Sequence, residues 1–369
     1  MCNRPFILPA PGALVLGLAI AIPWHPGLAE DIDTAKWQTS FLQLCDVACE
    51  HLNSPTRKVP FYHDSYAVRG LMVAYDITQK REYLEVSTAW ADRMVEYQEK
   101  MTPAGAYYMN YNRKPGQTTS QWYVADSASI ALGVLATAVR CRDAGDQDRY
   151  VRYLRSVESY AQLTIANYVG PKGGITDGLW AKFDGEWWCS SGIFGSLSYV
   201  LYAETGQERY RQVAWGAIDW LNQLDIAKAE HISFAEAAPT VLMYVLEAYS
   251  TVWPSLEPGS TRQKAAAAQW DFALAWMAQN QSSRGSASQW DYQSQWGSKL
   301  GGLPFHMYVL GQSDPRRPEI LAAADKELQF VGSAVQQTGT GQLSQLAVFA
   351  LMSYAEKVRP GAVYRTSRR

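Results

Sequence analysis

The chain has 369 residues, of which 47% are hydrophobic and only 18% charged, with a formal net charge of -2. That apolar content is ample for a core, and the near-neutral balance supplies no global field for recruiting a polyanion. Nucleic acid is therefore not an expected partner, and any acidic ligand must be met by local cations. The length exceeds a usual single core, but a ring of repeated helical hairpins tolerates it as one domain.

The first residues read as a signal peptide. Arg4 precedes an apolar stretch from Ala13 to Ile22, a Pro23 break and then Gly27-Leu28-Ala29 ahead of Glu30-Asp31. The expected organisation is residues 1–29 as the leader and 30–369 as a single domain ending in a short polar tail. The expected location is the periplasm or outside the cell. The apolar stretch is short for a bilayer span, and no membrane span is expected in the mature chain. Cys45, Cys49, Cys141 and Cys189 would survive cleavage. Cys45 and Cys49 lie one helical turn apart, where parallel Cβ directions disfavour a mutual bridge, so buried free thiols are expected, with a Cys141 to Cys189 disulfide as the alternative.

Helical periodicity dominates, and it repeats. Residues 78–97, 145–160 and 206–221 each carry a turn, then Glu-Tyr or Arg-Tyr, then an amphipathic helix. Each follows a more apolar helix rich in small residues, at 64–75, 126–139 and 190–203. Further along, 234–249 pairs with 261–280, 297–310 with 319–333, and 343–357 with 33–52 across the closure point. About twelve alternating helices predict an all-α (α/α)6 toroid, with the apolar set inside and the amphipathic set as the outer wall. The longer loops precede the inner helices at roughly 101–123, 169–189, 226–233 and 281–297, so function is expected at that end of the ring.

Two acids open successive inner helices: Asp64, within Tyr62-His63-Asp64-Ser65, and Asp126, within Trp122-Tyr123-Val124-Ala125-Asp126-Ser127. Both are expected to point into one funnel, where mutual repulsion would raise one pKa and keep a general acid protonated. The plainer reading makes both N-caps, stabilised by the helix dipole. Tyr108, Tyr111, Trp122, Trp180, Trp187, Trp188, Trp290 and Trp296 are expected to stack on sugar rings or to pack as a lid, and His63 and Glu236 to line the same end. Asp177, Asp184 and Glu186 are weaker acids in this reading, because solvated loop carboxylates are commonplace. His231 and His306 reach the same end, His306 more plainly as a core histidine. Arg69, Arg113 and Lys299 could hold a carboxylated sugar, although Arg69, about a turn beyond Asp64, is more simply an ion-pair partner. No dinucleotide-binding fingerprint, P-loop, zinc-protease or nucleophile-elbow motif occurs, and no cofactor or metal is expected. Gln-Trp pairs at 121–122, 269–270, 289–290 and 295–296 are shared with terpene cyclases, whose Asp-rich motif and Gly-x-Trp endings are missing.

The His63-Asp64 and Asp126 helix openings, about 62 residues apart with aromatic loops between, resemble those of the unsaturated glucuronyl and rhamnogalacturonyl hydrolases, six-hairpin glycosidases. Asp126 departs from the common pattern in being followed by Ser-Ala-Ser. The resemblance implies Asp126 as general acid/base, Asp64 as its partner, and hydration of an unsaturated uronide within an oligosaccharide. Two other readings remain open at this point. One is a polysaccharide lyase with a base such as Tyr108, Tyr111 or His231. The other is a non-catalytic glycan-binding or polysaccharide-assembly protein.

Overall fold

A computed structural model describes residues 34–54, 61–109, 122–177, 185–224, 238–269 and 361–367, and positions 272, 352 and 355. The named elements are helices: α1 Thr34–Asn53, α2 Phe61–Thr78, α3 Arg81–Gln98, α4 Val124–Asp143, α5 Gln147–Asn167, α6 Trp188–Thr205, α7 Glu208–Asn222 and α8 Ala238–Val252. The expected helices at 297–310 and 319–333, and all of 343–357 except positions 352 and 355, lie outside the described residues.

The hairpin turns follow from local chemistry. Gly206 ends α6 in the left-handed conformation (φ 73°), and its N–H donates to the Tyr202 carbonyl at 2.7 Å. Asp146 caps α5, its carboxylate accepting from the Arg149 N–H at 3.1 Å. Within each hairpin α2 packs on α3, α4 on α5 and α6 on α7, while α2, α4, α6 and α8 each pack on the next. These four are the inner set. α4 has the length and mean hydropathy, 1.4, of a membrane span, but its side chains are buried among neighbouring helices. Small residues allow the close approach. A Cβ on Gly192 of α6 would lie 2.6 Å from the Tyr244 carbonyl of α8, and one on Gly133 of α4 would meet Ser65 of α2 at 3.1 Å and the Trp90 ring at 3.0 Å.

The repeated Tyr at the start of each outer helix acquires a physical reason. The Tyr83 hydroxyl of α3 donates to Asp46 of α1 (2.8 Å), Tyr153 of α5 to Asp92 of α3 (2.8 Å), and Tyr210 of α7 to Glu158 of α5 (3.2 Å). Each carboxylate takes a second donor, from Lys80, Arg152 and Gln207 respectively. The outer wall is thus stitched helix to helix by one recurring node. In α5 the Tyr of the repeat itself, Tyr150, turns to Glu204 of α6 (2.8 Å), and Tyr153, one turn later, makes the stitch.

Across the ring the contacts are also polar. α2 and α8 are the first and fourth inner helices, which stand opposite in a six-membered ring. Arg69 of α2 pairs with Glu247 of α8, both 3% exposed, and the Tyr364 hydroxyl donates to the same carboxylate at 2.7 Å. Burial pulls the Arg69 guanidinium down, and Glu247 together with Tyr364 more than offsets it. Arg69 is therefore committed to the fold, not to a sugar carboxylate. Above this pair the Tyr66 and Tyr244 hydroxyls meet at 2.6 Å, with Ser129 Oγ at 3.2 Å from Tyr244.

The polar C-terminal segment is a clasp. The Ala362 carbonyl accepts from Arg140 (2.7 Å), Arg365 pairs with Asp76 (2.6 Å) and Asp143 (2.7 Å), and the Ser367 N–H donates to Glu204 (2.6 Å). With Tyr364, it ties all four described inner helices together.

Cys45, Cys49, Cys141 and Cys189 are buried free thiols, so the alternative Cys141 to Cys189 bridge is not formed. Burial pushes Cys49 and Cys141 up to about 12, well away from the reactive thiolate. Iodoacetamide at mildly alkaline pH should leave all four unmodified in the native protein and label all four in denaturant; native labelling of any one would contradict this packing. Gly192→Ala should cost roughly 1–3 kcal/mol by forcing α6 and α8 apart. A urea midpoint equal to that of the wild type would show that the two helices do not meet there.

Candidate active site

α2, α4 and α6 begin two or three residues earlier than expected, and this alters the two acids. Asp126 is the third residue of α4, whose cap position is Tyr123 with no side-chain capping bond, and Asp64 is the fourth residue of α2. Neither is at the cap position, but both lie in the first helical turn, where the helix dipole still favours the anion.

The helix contacts fix which way each acid faces. On α2, Ser65 touches α4 while Tyr66 and Arg69 look across the ring to α8. The 100° step per residue then puts Asp64 about 160° from Tyr66, on the flank turned away from the axis. It is 0% exposed. On α4, Asp126 lies about 20° from Gly133, the residue against α2, and about 60° from Ser129, which looks to Tyr244. Asp126 is half-buried, and its charge helps to raise Tyr66 and Tyr244, after the larger effect of their burial. The Ser65–Gly133 contact also sets the register, placing Asp126 about 9 Å of helix rise above Asp64. The two acids are offset in height: Asp126 is half-buried on the side of α4 that meets α2 and Trp90 of α3, and Asp64 is sealed in the wall.

His63 is buried (6%), its ring edge-on to Tyr62 at 4.2 Å. Several expected sugar-stacking aromatics are wall residues instead. Tyr108 packs edge-on between Phe61 (5.7 Å) and Tyr97 (5.2 Å), Trp122 (2% exposed) against Tyr168 (5.3 Å), and Trp188 (2% exposed) against Trp220 of α7 (6.2 Å). Their rings are spent on joining loops to helices, which is the lid alternative. Trp187, immediately before α6, is half-buried and packs on the core. Tyr111, Trp180, Glu236, Trp290 and Trp296, with Arg113, Asp184, His231, Lys299 and His306, lie outside the described residues.

The loop before α6 is ordered by its backbone. Residue pairs 169/175 and 176/186 form isolated antiparallel bridges, Trp187 N–H donates to the Ile175 carbonyl (2.8 Å), and Ile175 N–H to Ser191 Oγ (2.8 Å). Glu186 is a staple of this loop, accepting from the Lys172 N–H at 2.7 Å. Within this loop Asp177 is 2% exposed, and its carbonyl accepts the Val124 N–H at the root of α4 (3.1 Å). Burial, and then Asp126 and Asp177, push Tyr123 between them up to about 12. Asp177, a loop acid in the sequence, is buried, two positions after the fully buried Ile175.

No family profile matches the sequence, and neither does any curated protein. Solved structures do match. A family 76 α-1,6-mannanase from Salegentibacter sp. superposes with a TM-score of 0.56 at 11% identity, over 87% of this chain and 99% of that one. An inactive variant of it, changed at two consecutive aspartates, is matched in complex with α-1,6-mannotetrose. A family 76 glycoside hydrolase from a bovine Bacteroides thetaiotaomicron strain gives 0.58 at 11% identity, over 87% of this chain and 78% of that one. The unsaturated glucuronyl hydrolase of Streptococcus agalactiae gives 0.52 at 12%, over 90% and 98%. The fold is thus the (α/α)6 toroid of six-hairpin glycosidases, as the helical repeat predicts.

Proposed function

We propose that the protein is a glycoside hydrolase that acts on uronic-acid-containing oligosaccharides bearing an unsaturated terminal uronide, with Asp126 as general acid/base. The observation that carries this reading is the setting of Asp126: a half-buried carboxylate in the first turn of α4, whose charge reaches the Tyr66 and Tyr244 hydroxyls that meet each other and Ser129 across the ring. Such a group can give a proton to C4 of the sugar double bond and then take one from the water that adds at C5, and the resulting hemiketal opens to release the sugar. Asp64 contributes from inside the wall, as a buried positioning group and not as a second group on the substrate.

Two comparisons of chemistry support this choice among glycan-active readings. The matched mannanase is inactivated by changes at two consecutive aspartates, and this chain has no two adjacent aspartates anywhere. Its inner-helix acids are single and separated, as in the resemblance to the uronyl hydrolases. The lyase reading loses Tyr108 as a base, because that ring is packed between Phe61 and Tyr97. The leader-like residues 1–29 further lead us to infer that the enzyme works outside the cytoplasm, where polysaccharide fragments arise.

The test is optical. Incubation with an unsaturated uronyl disaccharide should remove the ultraviolet absorbance of its conjugated double bond, and Asp126→Asn should lower kcat by about 10³-fold with an unchanged melting profile. A rise in that absorbance on intact polyuronate would establish a lyase. Release of mannose oligomers from α-1,6-mannan, with no action on the uronide, would overturn the substrate assignment.

A further inference from the structure

Asp126 sits where a general acid is hardest to keep protonated, because the N-terminal turn of a helix stabilises a carboxylate anion. An opposing charge effect is needed, and the groups that face Asp126 narrow its source. From α2 comes Tyr66, from α5 Tyr160, from α8 Tyr244, and from the cap of α4 Tyr123. Burial holds these phenols neutral; on α2, His63 is buried beside Tyr62 and Asp64 is on the far flank of the helix. Among the described residues, a further buried carboxylate, Asp177 of the loop before α6, lies at the root of α4.

We propose that Asp177 is a positioning residue for the proton on Asp126: a buried carboxylate fixed at the root of α4 that favours the protonated form of its neighbour. Its main chain is bonded to Val124, two residues before Asp126, and both carboxylates act on Tyr123, the residue before Val124. The loop that delivers it is immobilised on both sides. Thr176 N–H donates to the Tyr168 carbonyl at 2.8 Å, Ile175 is fully buried, and a Cβ on Gly173 would lie 3.1 Å from the Gly216 carbonyl of α7. An anion so placed, shielded from water, raises the proton affinity of a nearby carboxyl.

The use of this coupling in catalysis rests on the function proposed above, but the coupling itself does not, and it is measured without substrate. In the full chain labelled with ¹³C-carboxyl aspartate, the Asp126 resonance is assigned by its loss in Asp126→Asn and titrated. Asp177→Asn should lower its midpoint by about one pH unit, and Asp177→Glu should restore it. Glu186→Gln, which removes a staple of the same loop, should leave it in place, as a purely structural role for the loop would also predict for Asp177. Coupling is reciprocal, so Asp126→Asn should lower the Asp177 midpoint by the same amount. That second variant decides the matter if Asp177→Asn does not fold. Unchanged midpoints would overturn the proposal. With activity established, the basic limb of the pH profile should move with the midpoint.

Discussion

The buried ion pair between Arg69 and Glu247 is the constraint on which the rest of the ring depends. It joins helices on opposite sides of the toroid, so the distance across the inner ring is set by two side chains and the Tyr364 hydroxyl that shares the carboxylate. Such a pair is weak evidence of net stability, but once built neither partner can be removed without leaving an isolated charge in a dry interior, a loss of about 3–5 kcal/mol. The consequence for function is positional. With Arg69, Glu247, Tyr66 and Tyr244 meeting between α2 and α8, the interior is filled at mid-height, and the proposed chemistry is assigned to the end where the inner helices begin.

The same logic holds at the other end. Residues 361–367 bring Arg365, Ser367 and the Ala362 carbonyl to charges on α2, α4 and α6, closing the ring where the inner helices finish. Stability is concentrated at that end and across the axis, whereas the opposite end is built from loops fastened one by one: Met109 accepts from Phe61, Asp177 from Val124 and Ile175 from Trp187. Variation in those loops can change the substrate without disturbing the ring, which is how one fold hosts both mannanases and a uronyl hydrolase among its structural neighbours.

Much of this architecture is legible in the sequence, because a helix buried on both sides and a helix with one wet face leave different residue patterns. The alternation of small-residue helices with Glu-Tyr or Arg-Tyr helices located α2 to α7 to within a few residues at most ends. The starts of α2, α4 and α6 are less legible, because the apolar Phe61, Val124 and Trp188 already belong to the helices, and the Phe61 and Val124 N–H groups donate to loop carbonyls instead of side-chain caps. Contacts between residues far apart in the chain were not legible. Arg69 has Asp64 close by in sequence and Glu247 close by in space. Arg365 looks like part of a solvated tail until Asp76 and Asp143 are placed beside it. Asp177 looks like any loop acid, and only the bridge geometry of its loop reveals that it is buried. The facing of Asp64 was misread for a related reason: being near the start of an inner helix fixes the height of a side chain, but its direction follows from the neighbours of the whole helix.

In the proposed function, chemistry occurs over Asp126, above the Tyr66 and Tyr244 hydroxyls. A crystal structure of Asp126→Asn soaked with an unsaturated uronyl disaccharide tests it most directly. The account predicts the unsaturated ring at the N-terminal end of the inner helices, with its C4 side toward the amide of residue 126 and those hydroxyls beneath it. A sugar bound on the outer wall, or at that end but with no atom near residue 126, would contradict it.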